Sequence, residues 1–423
     1  MQEKRSSADN VMRSAYIWNS IGSLINAFQS VIILVFLTRV CSLEDAGIFT
    51  LAFANANLFL NMGKYGMRNY QASDVAQRYG FKAYRASRAV TCALMIACGS
   101  AHLVFSAISN SYSLYKSLCI LAMIALKVID AVEDVYDGAF QQVGRLDISG
   151  KQMTLRMCCM IASFVVAAIV TKNLVVSTLV AFVVSLTVLV GSLVFIKAKH
   201  GLPGRDAATS IATPWGLLRD CLPLFISTFL LFYIGNAPKY AIDTYLSDVA
   251  QAQYGFIAMP VFVVSLLAQF VYMPLVEPLS SMWANHEIDG FIKTFTKQVG
   301  IVGLITLVCV AGSWLLGVPV LSAFYNTDLA PFKLDLCILV FGGGFLAFAT
   351  LFTMGLTVMR KQDKLTPGYV VVAIVALIIS NRLVQSMGIR GASYAYIVCM
   401  VTLALWYCLM FYRYCLAARK DRN

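Results

Sequence analysis

The sequence predicts an all-α polytopic membrane protein of about twelve transmembrane helices, and three features predict it. Of its 423 residues, 59% are hydrophobic and 13% charged, whereas a soluble globular domain carries about 25% charged residues. Mean hydropathy is +0.75. Apolar runs of roughly 20 residues, long enough to cross about 30 Å of hydrocarbon at 1.5 Å per residue, recur from end to end and leave no room for a sizeable soluble domain. Their length, and the lack of period-two alternation, indicate helices rather than barrel strands.

The first run, 14–38, follows Lys4, Arg5 and Arg13. It is too long for the apolar region of a signal peptide and no small-residue cleavage site follows, so an uncleaved first helix is expected. Runs at 46–66, 89–109, 116–141, 152–171 and 174–196 complete a set of six. A link carrying Gly201, Pro203, Gly204 and Pro214 separates them from runs at 217–239, 252–276, 297–320, 334–358, 367–385 and 391–415. The expected organisation is an N-terminal six-helix lobe (1–200), a cytoplasmic connector (201–215) and a C-terminal six-helix lobe (216–423). A weak internal repeat supports two lobes: LEDAGIFTLAFA from Leu43 and AQAQYGFIAMP from Ala250 each set a polar turn before Gly47 or Gly255 and then open a helix.

The net charge of +12 invites a nucleic-acid reading, so the placement of the basic residues decides. With both termini inside and span-end residues assigned to the nearer face, 25 of the 33 Lys and Arg are cytoplasmic and 7 external. The last, Lys127, lies within a span. This is the positive-inside bias, and it accounts for the excess charge without nucleic acid. The 12 Cys fall mostly inside apolar runs, without CxxC pairs or Cys/His ligand spacing, and the three His are far apart. Neither a metal site nor a cofactor is expected.

Polar residues at helical spacing inside a span face a wet cavity or another helix, because burying them unpaired costs several kcal/mol. In the first span Asn19, Ser23, Asn26 and Ser30 share roughly a 60° arc. In the second, Asn57, Asn61, Lys64 and Arg68 repeat that spacing and end in two cations. The fourth span places Lys127, Asp130, Glu133, Asp134 and Asp137 within roughly 120° of one face. Five ionisable groups cannot face lipid when one at mid-depth costs at least about 2.5 to 3.5 kcal/mol. Neighbours three or four apart can pair among themselves, but the set is three negative charges in excess and needs cations from elsewhere or protonated acids. Asn236, Lys239 and Asp243 share a face at the end of the seventh span, and Arg39 closes the first.

The chain resembles the polysaccharide biosynthesis proteins of the O-antigen flippase type, in the superfamily that also holds multidrug and toxin extruders. The residues that carry the resemblance are FLTRVCSLEDAGIFTLAFA after the first helix, YGMRNYQASDV after the second, NAPKYAID followed by YGFIAMPVF, and GIRGASYAYIV opening the last. The resemblance implies two six-helix bundles around a central lumen lined by basic residues and opening alternately to either side of a bacterial inner membrane. The matching positions here are Arg39, Arg68 and Lys239. Glu44 stands where the family often has Pro.

On this reading the cargo is a polyprenyl-diphosphate-linked oligosaccharide, with membrane lipids and glycan-assembly proteins as partners. Carrying a diphosphate through bare hydrocarbon costs on the order of 20 kcal/mol per ion by idealised Born reasoning, which a hydrated, cation-lined path removes. Asn26, Asn57, Asn61 and Asn236 suit sugar hydroxyls, Lys64, Arg68 and Lys127 suit the diphosphate, and Arg39 and Lys239 are further lumen-lining candidates that the resemblance implies. Asp130, Glu133, Asp134 and Asp137 are candidates for coupling to H⁺ or Na⁺. The nearest rival is a cation- or proton-coupled multidrug antiporter of the same fold. An enzyme, such as a membrane-embedded glycan polymerase or transferase, would need a larger external segment than 239–251 to build a catalytic site.

Overall fold

The computed structural model describes residues 2–74, 78–201 and 213–420. Most of the expected connector, including Pro203 and Gly204, lies outside them, as do the side chains of Lys4 and Arg5. The chain forms two compact units, Met1–Phe229 and Leu230–Asn423.

The first unit contains α1 (Gln2–Val40), α2 (Leu43–Lys64), α3 (Met67–Ser73), α4 (Phe81–Ser109), α5 (Leu114–Gln142), α6 (Leu146–Thr171), α7 (Leu174–His200) and the first half of α8 (Pro214–Tyr245). α1 packs on α6, α6 on α7, and α5 is surrounded by α2, α3, α4 and α7. The unit boundary falls inside α8 because that helix begins on residues of the first unit. Leu217, Leu218 and Cys221 are buried against Met67, Tyr79, Tyr84 and Val135, and Phe225 stacks on Tyr65 at 4.4 Å.

The second unit is built from α9 (Asp248–Ala258), α10 (Val261–Tyr272), α11 (Val276–Ala284), α12 (Ile288–Gly312), α13 (Val318–Tyr325), α14 (Lys333–Val358), α15 (Leu365–Met387) and α16 (Ile389–Lys420). Its first two apolar runs are interrupted helices. One breaks at Met259–Pro260 and again at the 3₁₀ turn Met273–Leu275, where prolines remove a backbone donor. The other passes through a π segment, Ser313–Gly317. Phe291, Phe295, Phe352 and Phe411 form an aromatic core, with the Phe295 and Phe411 rings 4.0 Å apart.

A helix or interrupted helical stretch covers each predicted apolar run. Among the described residues, ten such stretches are long and apolar enough to cross a membrane. α2 and α5, the two with the densest polar stripes, are not among the ten. The local repeat is visible at the openings of α2 and α9. Ser42 accepts from the Asp45 amide at 3.0 Å in a capping box, and Ser247 accepts from the Ala250 amide at 3.3 Å.

One expectation is corrected. Lys64 and Arg68 do not follow one another down a continuous helix, because α2 ends at Lys64 and the next two residues adopt left-handed backbone, Tyr65 at φ 53° and Gly66 at φ 67°. Glycine enters that region without a Cβ penalty. Arg68 therefore belongs to α3, a separate helix that begins at Met67.

Candidate functional site

The acids of α5 are brought together with cations from every side. Asp130 lies 2.7 Å from Lys127 Nζ and 2.8 Å from Arg156. Glu133 takes a two-pronged bond from Arg156, at 2.9 Å and 2.5 Å. Asp134 pairs with Arg88 at 2.7 Å and with Lys64 at 3.8 Å. Asp137 pairs with Arg68 at 3.3 Å and accepts from Ser149 Oγ at 2.5 Å. All four carboxylates are buried. With every group ionised, five cations face four acids, so the cluster carries one positive charge in excess rather than three negative.

Each of the first seven helices supplies part of this cluster. From α1, Gln29 accepts from Lys127 at 3.0 Å and donates to both oxygens of Asn26 at 2.8 Å. Asn26 thus reaches the cluster only through Gln29. From α4, Arg88 also donates to the carbonyl of Gly63, as does Thr91 at 2.8 Å, which ties α4 to the last turn of α2. From α7, Ser185 accepts from Arg156 at 2.8 Å. The approach of α3 to α5 depends on Gly138, where a Cβ would collide with the Gln71 amide.

Exposure separates the cations into two kinds. Arg156, Lys127 and Arg88 have side chains 0%, 2% and 3% exposed, whereas Lys64 and Arg68 are 38% and 27% exposed. Lys127, expected on a lumen wall, is enclosed, with its ammonium 5.0 Å from the centre of the Phe53 ring. Asn57 and Asn61 donate to carbonyls of their own helix, Phe53 and Asn57, each at 2.8 Å. Arg39 is exposed in the last turn of α1, ten residues beyond Gln29 and so about 15 Å along the axis, and is not brought to the cluster. In the second unit, Asn236 donates to Phe232 at 3.0 Å, and Lys239 is partly buried one turn further on.

At the end of the unit where α3 lies, Asp220 of α8 accepts from Tyr79 at 2.8 Å and from Tyr70 at 3.1 Å. Burial, then the bond to Asp220, pushes the Tyr79 phenol up to about 12, so it remains a donor across the physiological range.

Arg88, Arg156 and Gln29 were not singled out from the sequence. The two arginines lie at the edges of apolar runs and read as interfacial, but their helices begin before those runs. Arg156 is ten residues from the start of α6 and therefore about 15 Å deep. Gln29 neighbours the polar stripe of α1 without sharing its spacing.

Comparisons with known proteins agree with this fold. One similar solved structure is a multidrug resistance MATE family transporter of the MOP superfamily in an inward-facing conformation, at TM-score 0.68 and 13% identity over 97% of this chain and 100% of that one. Another is a MOP superfamily transporter from Pyrococcus furiosus, described as having a binding pocket of reverse polarity, at TM-score 0.61 and 12% identity over 97% of each chain. A third is a Vibrio cholerae MATE transporter, at TM-score 0.59 and 11% identity over 97% of this chain and 98% of that one. At such identities the likeness establishes the fold alone. No curated protein matches the sequence significantly. The family model for polysaccharide biosynthesis proteins matches residues 13–283, more than half of the sequence, and the chain belongs to that family.

Proposed function

We propose that the protein is a flippase that moves a polyprenyl-diphosphate-linked oligosaccharide from the inner to the outer leaflet of a bacterial inner membrane by alternating access. The lobes at 1–200 and 216–423 would supply six passes each, including α2 and α5, with both termini cytoplasmic. The observation that carries this reading is the charge balance of the α5 cluster. All four acids already hold a cation within 4 Å, which leaves none open to attract a cationic drug, and the surplus is positive. The two partly exposed members, Lys64 and Arg68, would meet the diphosphate. Lys127, Arg88 and Arg156 would position the acids behind them. Asn57, Asn61, Asn236 and Lys239 are the proposed contacts to glycan and phosphate, and Arg39 an anchor at the external face.

This pairing favours a structural role for Asp130, Glu133, Asp134 and Asp137 over direct H⁺ or Na⁺ coupling. The decisive experiment depletes the protein and asks on which membrane face lipid-linked oligosaccharide accumulates. Accumulation on the inner face, restored by the wild type but not by a K64Q/R68Q variant of normal abundance, is the expected result. Normal glycan distribution in depleted cells, together with new sensitivity to cationic dyes, would replace the flippase with the antiporter.

A further inference from the structure

Away from the α5 cluster, the start of α6 and the end of α7 enclose a cavity of about 400 Å³. Its walls change character along its length. Arg145, Lys151 and Lys199 stand at the helix ends, and Leu155 and Phe195 lie further in. Arg145 is engaged by Asp147 through two bonds, at 2.8 Å and 3.1 Å. Lys151 and Lys199 form no ion pair among the described residues, although Lys199 rests 5.6 Å from the centre of the Phe195 ring. Asp147, which also feels the charge of Lys151, is thus one carboxylate against three cations, and two positive charges are in excess. Leu155 and Phe195 are 53% and 62% exposed, so the apolar end is open on its outer side.

A second observation points to a ligand. Gln152 lines the same cavity and is only 4% exposed, yet neither its amide nitrogen nor its carbonyl oxygen has a hydrogen-bond partner. Leaving such groups unpaired is destabilising, so a ligand that both donates and accepts there removes a real penalty. A cationic rim, a buried amide with free donor and acceptor, and an apolar channel open to the membrane describe a molecule with an anionic head, a hydroxyl and an acyl chain.

We infer that this cavity is a binding site for an anionic phospholipid with a hydroxyl-bearing headgroup, such as phosphatidylglycerol. Its phosphate meets Lys151 and Lys199, its hydroxyl meets Gln152, and its chain lies along Leu155 and Phe195. The site is at the membrane face that the Lys and Arg bias assigns to the cytoplasm, where basic pockets between helices gather anionic lipid heads. It shares no residue with the α5 cluster and does not depend on what is transported.

The test uses the full chain in detergent, with native mass spectrometry to count lipid retained after mixing with phosphatidylglycerol, phosphatidic acid or phosphatidylcholine. The wild type is expected to retain phosphatidylglycerol preferentially. At about 1 kcal/mol per cation near the surface, K151Q/K199Q should bind it roughly thirtyfold more weakly, while K151R/K199R binds as the wild type does. Q152L should keep the preference for anionic lipid but no longer distinguish phosphatidylglycerol from phosphatidic acid. Both lysines are at the rim, and an unchanged melting temperature in lipid-free detergent checks that the fold is intact. Equal phosphatidylglycerol retention by K151Q/K199Q and wild type would overturn the proposal. So would displacement of the lipid by millimolar inorganic phosphate, which would mark a free-anion site. Displacement by a polyprenyl diphosphate at equimolar concentration would overturn it too, by assigning the cavity to the transport path.

Discussion

The two units hold themselves together by different means. The first has charge at its centre: nine ionised side chains, with Gln29, Ser149 and Ser185, join α1 through α7. The second has rings at its centre, with Phe291, Phe295, Phe352 and Phe411 in mutual contact and Asp335–Arg390 as its best-buried ion pair among the described residues. In a bilayer the lipid is as apolar as the protein, so aromatic packing gains dispersion but little hydrophobic drive. Such contacts tolerate small displacements. An arginine held by two carboxylates tolerates almost none, because any slip leaves a charge unpaired at low dielectric. The comparison teaches that charge pairing holds the first unit to its arrangement more strictly than ring packing holds the second.

Arg156 is where this contrast breaks most sharply. R156M leaves Glu133 without a cation, and losing one partner of a buried pair costs about 3–5 kcal/mol. The melting temperature in detergent should drop by the largest margin of any single change discussed here. R156M/E133Q should recover most of the loss, since Asp130 keeps Lys127. A double variant no more stable than R156M would mean the cost comes from lost packing, not from the orphaned acid. F411A opens a cavity among the other three aromatic rings, which costs about 3–5 kcal/mol in a water-soluble core. With lipid as the alternative environment the loss should be smaller, so F411A should melt above R156M. The reverse order would erase the distinction between the units. The mildest change is D335N, because Arg390, 2.6 Å from the buried Asp335, is itself 37% exposed and can turn its charge to solvent when the carboxylate is gone. A drop as large as that of R156M would show that the second unit also rests on an ion pair.

The positions of the helices were legible in the sequence because the apolar face of each one announces its length. Their ends were not, and the cluster depended on the ends. Residues 81–88 and 146–151 read as loop because they are polar, yet they are helical turns that face protein. Arg88 and Arg156 were hidden by that shift of six to eight residues. The deficit of cations around α5 was readable, since the charges on its face do not balance, but the residues that would supply them were not. Nothing in the spacing of Lys64 and Arg68 reveals the left-handed turn between them, although the Gly66 that permits it is present. Lys239 and Asn236 belong to a different compact unit from the α5 acids, a division that side-chain chemistry alone does not signal.

The five charged residues on α5 also bear on how the protein is made. A helix carrying Lys127, Asp130, Glu133, Asp134 and Asp137 gains little by leaving the insertion machinery for lipid, at about 2.5 to 3.5 kcal/mol for each such group near mid-depth. Lys64, Arg68 and Arg88 precede it in the chain and can neutralise Asp134 and Asp137 as it emerges. Asp130 has Lys127 on its own helix, but Glu133 must wait for Arg156, which is synthesised only after α5 is complete. On the proposed topology, membrane integration of α5 would therefore be coupled to the arrival of α6, and a ribosome-bound chain truncated before Arg156 should remain extractable at alkaline pH until the next helix is translated.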